Sequence, residues 1–355
     1  MSLGRRLAGL RFKPPAQAPI NRVMIRIAIL GAGPAAERHV RALHAHPGAC
    51  RVTTIYDEQP VTANAFAAGH GLMPCSELEP MWEDVDAVVV CDIGARRARV
   101  IGTALARGVD VLIEPPLAMS EQELQRMLGG IVKAPRRPVA MIGHDELYHP
   151  ALGAVRELLA GETIVALELE RQDPKGAAAL PEDFDIVREM LLPQIEMVGA
   201  LIDQPVVATQ AAGARSKPTE PFDHARALLV LDDNTLVTLS AARCGRAQVR
   251  TLRAVTTGAV VECDLDAGVV EAVQIADDGV VAGAHSVRRR IDVPHRDPWE
   301  AQAAAWLHAI ESRAKPRLSI GAIATAEETA DAIRGRMDLV DRRTPSRRTG
   351  KLRAA

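Results

Sequence analysis

Residues Met24–His46 read MIRIAILGAGPAAERHVRALHAH. A short block, apolar apart from Arg26, runs into a glycine turn, and beyond it apolar residues recur at helical spacing, Val40 and Leu43 onward. That change of period predicts a buried strand, a tight turn and an amphipathic helix. Gly31, Gly33 and Ala36 stand where a dinucleotide fingerprint must stand, after the first strand and opening the first helix. Gly31 permits the turn, Gly33 the approach of backbone to a pyrophosphate, and Ala36 close packing of helix on strand; the helix N-terminus faces the phosphates. A second strand, RVTTIYDE, ends on Asp57, where an acid can accept hydrogen bonds from ribose hydroxyls. Glu58 follows with no Arg or Lys just after it, which favours NAD over NADP because a 2′-phosphate would meet negative charge. A plain turn in an α/β domain, with Asp57 a solvated strand-end acid, is the competing reading.

Working outward, TANAFAAGHG reads as a helix stopped by Gly69 and Gly71, DAVVVCD as a third strand, and Arg96 to Arg107 as a helix ended by Gly108. VDVLIEPP is a fourth strand, Ser120 with Glu123 a capping box for the next helix, and PVAMIGH a fifth strand. Alternating strands and helices imply a parallel sheet covered on both faces. After a helix at Ala151–Ala160 the rhythm changes to eight strands, TIVALELER to SVRRRIDVP, several joined by short Asp-, Asn- and Gly-rich turns such as DDNT and TTGA. That is an antiparallel sheet, one face of which is commonly covered by a second copy. Two helices, Pro298–Arg313 and Gly321–Asp341, close the chain. The fold class is α/β: an N-terminal Rossmann dinucleotide-binding domain plus a C-terminal α+β domain with a large, mainly antiparallel sheet. The expected boundaries are a flexible basic arm at 1–23, the Rossmann domain at 24–145, a substrate and dimerisation domain at 146–341, whose closing helices can pack back on the first domain, and a basic disordered tail at 342–355.

Composition agrees with two cores: 355 residues, 48% hydrophobic. A net charge of -2 gives no reason to expect nucleic acid or an anionic membrane as partner. No apolar run approaches the ~20 residues that span a bilayer, and LAGL after Arg5 and Arg6 is too short for an export signal. Cys50, Cys75, Cys91, Cys244 and Cys263 are scattered and never CxxC, as in a cytoplasmic protein. No metal spacing is present.

With this order in place the chain resembles the glucose-fructose oxidoreductase, inositol dehydrogenase and MocA (Gfo/Idh/MocA) family over nearly all of Met24–Val340. The similarity is carried by IRIAILGAGPAAERH with its His39, VDVLIEPPLAMSEQEL, the linking segment IGHDELYHPALGAVRELL and the closing WEAQAAAWLHAIESRAKPRLSIGAIATAEETADAI. The resemblance implies a two-domain dehydrogenase of sugars, cyclitols or related alcohols and imines. It also implies an EKP loop supplying a lysine, and a DxxxH motif supplying an aspartate and a proton-transferring histidine. Such chemistry needs a base within about 3 Å of the reacting oxygen and a cation to stabilise the developing alkoxide. On this pattern the cofactor residues are Gly31, Gly33, Pro34, Ala35, Ala36, Asp57, Glu58, Asp92, Gly94, Arg97, Glu114 and Pro115.

This chain departs from the pattern where the reaction would occur. The lysine position holds Pro116; the aspartate aligns with Glu189 and the histidine with Pro193, or with Gln194 if the register slips by one. Asp92, Ile93 and Arg97 replace the usual Thr-Pro and histidine, and Glu146 and Leu147 replace an Arg pair. Candidate substitutes are Lys175, one of few lysines among 43 basic residues, and His144, Asp145, Glu146, Tyr148 and His149 at the domain junction. Glu189 and Glu196 are expected as two exposed helix acids; the alternative turns one of them inward with Asp183 or Asp185. His224 reads as a strand-edge residue.

Two functions remain. The first is an NAD(P)-dependent oxidoreductase acting on a sugar, cyclitol, imine or related small molecule with non-standard acid/base groups. The second is a catalytically degenerate dinucleotide-binding relative with a sensing, regulatory or assembly role. A homodimer or dimer of dimers through the C-terminal sheet is expected for either.

Overall fold

The computed structural model describes residues 24–91, 96–115, 121–174, 185–216, 221–274 and 288–343. The arm at 1–23, the tail from 344, and Asp92, Gly94, Pro116, Ser120, Lys175 and Asp183 lie outside them. The described residues divide into two compact units, one within 24–154 together with 292–324, the other within 155–291 together with 325–343. The division therefore falls later than the expected boundary after Asp145, and it assigns residues 292–324 to the Rossmann unit.

The first unit contains β1 (Ile25–Leu30), α1 (Pro34–His44), β2 (Cys50–Tyr56), α2 (Pro60–His70), β3 (Met73–Cys75) and α3 (Leu78–Asp84). There follow β4 (Ala87–Val90), α4 (Arg97–Ala106), β5 (Asp110–Ile113), α5 (Glu121–Lys133) and β6 (Ala140–Ile142). The six strands form one parallel sheet in the order β3-β2-β1-β4-β5-β6. β4 and β5 are buried at every position, which explains why β4, and β5 after Asp110, are apolar blocks rather than alternating ones. The short β3 and α3 have no counterpart in the sequence reading: Pro74 and the exposed Met73 hide an edge strand whose signal is only three residues long.

The core of this unit is completed from far along the chain. α8 (Pro298–Ser312) presents Ala303, Trp306, Leu307, Ala309 and Ile310 to the cluster built on Ile27, Ile29, Val40, Leu43 and Ile55. Asp297 caps it by accepting from the Trp299 N–H at 2.9 Å. At its other end Arg313 adopts φ 55° and reaches the fully buried Asp110 at 2.9 Å, and Arg136 and the Val139 N–H bond the same carboxylate. A buried acid would be costly alone; two guanidiniums and a backbone donor satisfy it.

The second unit contains β7 (Ile164–Gln172), a π-helical turn at Val187–Leu191, α7 (Leu192–Leu201), β8 (Val206–Ala214), β9 (His224–Leu231) and β10 (Leu236–Ala242). The strands continue with β11 (Val249–Thr256), β12 (Ala259–Asp264), β13 (Val269–Gln274) and β14 (Arg288–Ile291). The order is β14-β13-β12-β11-β7-β10-β9-β8, antiparallel throughout except for the parallel β7–β10 pair. Alternation sets the two faces: Leu167, Leu169, Leu229, Val237, Leu239, Leu252 and Val261 point inward. The opposite face is charged, with Arg253 at 3.0 Å from Glu168 and Arg288 at 3.1 Å from Glu271. α6 (Pro150–Leu159) and α9 (Ile320–Arg343) run across the division. Among the described residues no helix is long and apolar enough to cross a membrane, and no group of metal-ligating side chains is assembled.

Candidate active site

The glycine turn between β1 and α1 is fastened by its own backbone. Gly31 takes φ 94°, a conformation that costs glycine little, and its N–H donates to the Tyr56 carbonyl at 2.7 Å. The next N–H, of Ala32, donates to Asp57 Oδ2 at 2.8 Å, and Asp57 Oδ1 accepts from the Gln59 N–H at 2.8 Å. Asp57 is thus oriented by the turn as well as delivered by β2, and a carboxylate with about four acceptor positions keeps room for further donors. Gly33 is extended and precedes α1, which has Pro34 in its first turn and no side-chain cap. A Cβ on Gly33 would meet nothing within 4 Å. An uncapped helix N-terminus under open space fits a pyrophosphate, since unpaired N–H groups and the helix dipole both favour an anion there. Ala36 is fully buried against the sheet.

Glu58 is exposed, but its carboxylate is 3.4 Å from Arg96 Nε. Arg96 comes from just before α4, so the cation lacking in the sequence after Glu58 arrives through space. Arg97, the first residue of α4, is half-buried.

Glu114 leaves β5 with its N–H donating to the Val90 carbonyl at 2.9 Å. Its Oε2 lies 2.8 Å from Nε2 of His39, which is 2% exposed, and Trp299 packs edge-on to that imidazole at 4.9 Å. Gly143 leaves room alongside: a Cβ there would come within 2.9 Å of Glu114 Oε2 and 3.2 Å of the Ile113 carbonyl oxygen. The exposed Pro115 follows. His39 was quoted in the sequence only as part of a resemblance; its role as the glutamate's partner follows from the parallel register, which brings the α1 face and the end of β5 together.

The junction candidates divide by environment. His144 and Glu146 are buried, with His144 Nε2 3.7 Å from Glu146 Oε2 and the His144 N–H donating to Gln302 Oε1 at 2.7 Å. The Tyr148 hydroxyl donates to Met141 Sδ at 3.6 Å, and Arg317 lies over the ring at 4.9 Å. Nδ1 of His149 accepts from the Ala151 N–H at 3.2 Å, so this imidazole caps the start of α6.

In the second unit the pair of glutamates is not exposed. Glu189, inside the π turn, is 2.6 Å from Arg243 Nε, with both side chains 12% exposed, and Glu196 is 6% exposed. The expectation of two solvated acids fails because the π turn and α7 pack on β10, where Gln194 Nε2 donates to the Ser240 carbonyl at 3.0 Å. Asp185 is a helix cap, accepting from the Val187 and Arg188 N–H groups, both at 2.9 Å. Pro193 lies in the first turn of α7 and offers no donor. Glu327, between Arg188 and Arg334, has its carboxyl raised, because burial outweighs the two guanidiniums. His224 begins β9 and carries a partner on each ring nitrogen, Asp223 and Cys244.

Comparison with known proteins agrees with this architecture. Residues 25–144 match the family described as "Oxidoreductase family, NAD-binding Rossmann fold". The chain is 25% identical over 291 residues to UDP-N-acetylglucosamine 3-dehydrogenase of Acidithiobacillus ferrooxidans, covering 81% of this chain and 89% of that protein. It is 24% identical over 197 residues to inositol 2-dehydrogenase of Rhizobium meliloti, covering 54% of this chain and 58% of the relative. A crystal structure of the Acidithiobacillus enzyme superposes with a TM-score of 0.79 at 22% identity, covering 89% of this chain and 99% of that one. Levoglucosan dehydrogenase in complex with NADH superposes with a TM-score of 0.77 at 15% identity, covering 89% and 98%. A fastened glycine turn and a strand-end acid thus lie within residues 25–144, the segment that matches the Gfo/Idh/MocA oxidoreductase family with its NAD-binding Rossmann fold, and the order of elements in both units is similar to that of the dehydrogenases named above.

Proposed function

We propose that this protein transfers hydride between NAD and a small sugar, cyclitol, imine or related molecule, using acid/base groups other than the family's lysine and histidine. The observation that carries the reading is the turn at Gly31–Asp57, oriented by the bonds from Ala32 and Gln59 and open above Gly33. Gly31, Gly33, Pro34, Ala35 and Ala36 would hold the pyrophosphate, Asp57 and Glu58 the adenosine ribose, and Arg97, Glu114 and Pro115 the nicotinamide end. Bound there, NAD supplies the hydride acceptor or donor. The residues of the chain bind and orient it, and Glu114, fixed by His39, holds the end of β5 in place.

Pro116 and Pro193 offer neither cation nor base, which supports an imine or activated double bond over an alcohol, because reduction of these needs no hydroxyl deprotonation. His144 with Glu146 is the buried pair best suited to hold a proton, whereas the His149 ring already caps a helix. One observation favours the second reading, a degenerate cofactor-binding relative: Glu189 is committed to Arg243. Supporting a homodimer through the second unit's sheet is its open face, where paired charges of both signs can complement a second copy. That none of the five cysteines is joined in a disulfide suits a cytoplasmic setting.

The test is a titration of the full chain with NADH and NADPH, followed by a turnover panel of sugars, cyclitols and cyclic imines. NADH should bind at micromolar concentration, and Asp57→Ala should weaken it by about 10-fold, or ~1.4 kcal/mol. Unchanged affinity for both cofactors in that variant would remove Asp57 from the ribose. Binding without turnover of any panel member would favour the degenerate reading.

A further inference from the structure

The five cysteines have unequal surroundings. Cys50, Cys91 and Cys263 are buried, and burial pushes Cys50 up to about 11 and Cys263 to about 12, the latter with help from Asp264. Such thiols stay protonated and inert. Cys75 is half-buried and donates to the Glu77 carbonyl at 2.7 Å. Cys244 alone is exposed, and it has an imidazole beside it: its Sγ is 3.0 Å from Nε2 of His224.

That imidazole is held from the other side. His224 Nδ1 is 2.8 Å from Asp223 Oδ1, while Sγ is 3.8 Å from Nδ1, so the nitrogen facing the carboxylate is not the one nearest the sulfur. Asp223 is in turn fixed by the Ser216 N–H at 2.9 Å and by the Ser216 hydroxyl. Partial burial raises the Asp223 carboxyl, but the bonds from Ser216 and His224 outweigh it and hold it at about 2. The backbone pins the group as well. His224 pairs in register with Ala242 at the end of β10, and the Arg243 N–H donates to the Asp223 carbonyl at 2.8 Å. An ionised acid at Nδ1 selects the tautomer with the proton on that nitrogen, leaving Nε2 to take the thiol proton. The arrangement of acid, imidazole and exposed nucleophile is one that activates a thiol.

We propose that Cys244 is an activated thiol, served by His224 and Asp223, that exchanges with small disulfides. In the step the Cys244 thiolate attacks one sulfur of the disulfide. A new S–S bond forms at Cys244, the original S–S bond breaks, and the departing thiolate takes the proton held on His224. Cys244 is oxidised to the disulfide level, and half of the small disulfide is reduced to a thiol. Excess thiol reverses the exchange.

The test exposes the full-length reduced protein to glutathione disulfide at pH 7 and follows each cysteine peptide by mass spectrometry. Cys244 should form the mixed disulfide at least ~10-fold faster than Cys75. His224→Gln should bring Cys244 down to the rate of Cys75, and Asp223→Asn should lower it part of the way. Cys50 and Cys263 report folding in each variant, because they react only if the chain opens. Equal rates for Cys244 and Cys75 in the unmodified protein would overturn the proposal. So would a His224→Gln variant that keeps the fast rate while Cys50 and Cys263 stay silent. If His224→Gln opens the chain, a full rate at Cys244 in folded Asp223→Asn overturns it instead.

Discussion

The glycine turn of the first unit and the start of α7 in the second use their polar groups differently. Around the turn, residue type and geometry agree: Gly31 takes the positive φ that its place in the motif requires, and Asp57 is both at the strand end and bonded to the turn. At the start of α7 the polar side chains support structure. Glu189 pairs with Arg243, Asp185 caps, Pro193 opens the helix, and Gln194 ties it to β10. A polar residue that changes chemistry inside a packed element must find a new partner or carry an unpaired charge, and here partners are present. The difference teaches that one region keeps backbone N–H groups facing open space, whereas the other spends its polar groups on holding a helix to a sheet.

The comparison can be broken most severely at Arg243. Arg243→Ala leaves Glu189 charged and largely buried, so a loss of about 3 kcal/mol in urea unfolding is expected, with NADH affinity unchanged. A loss of cofactor affinity in step with stability would mean the two regions are coupled after all. Next comes Glu114→Ala, which strips the buried His39 of its partner and should cost about 2 kcal/mol; Glu114→Gln, retaining a hydrogen-bonding group, should recover most of it. Equal stability of the Ala and Gln variants would show that Glu114 is not needed by His39. The smallest effect is expected at the exposed pair of Glu58 and Arg96. Glu58→Gln should free Arg96 for a 2′-phosphate and raise NADPH affinity about 3-fold, or ~0.7 kcal/mol, at low salt. A fall in NADPH affinity would place Arg96 away from the adenosine ribose.

Much of this was legible in the sequence for physical reasons. Buried parallel strands are short apolar blocks, and the alternating strands of the second unit announce themselves through period and turn chemistry, so all eight were readable from TIVALELER onward. The single parallel pair β7–β10 was not, because a strand's residues do not encode the direction of its neighbour. β3 is too short to carry a period. At the site, Asp57 was readable from its distance to the glycines. Arg96 was not, since it approaches Glu58 through the sheet rather than along the chain. Glu189 of the π turn and Glu196 of α7 read as solvated because helical spacing cannot report the strand packed against them. His149 read as one candidate substitute among several for a similar reason: its partner is a backbone N–H two residues on, and backbone donors are invisible in a sequence.

The joining of α8 to the Rossmann unit has a consequence for how the protein is made. All six strands of the parallel sheet leave a ribosome before residues 155–291, yet the sheet's core needs Trp306 and the buried Asp110 needs Arg313. At about 5–20 residues per second, the intervening segment takes on the order of ten seconds to synthesise. During that interval the nascent sheet lacks its last layer, and the apolar surface around Ile27, Val40 and Leu43 that α8 will cover is open to chaperones. The N-terminal unit is therefore the first to begin translation but cannot finish folding until residues 292–324 have followed the whole of 155–291 off the ribosome.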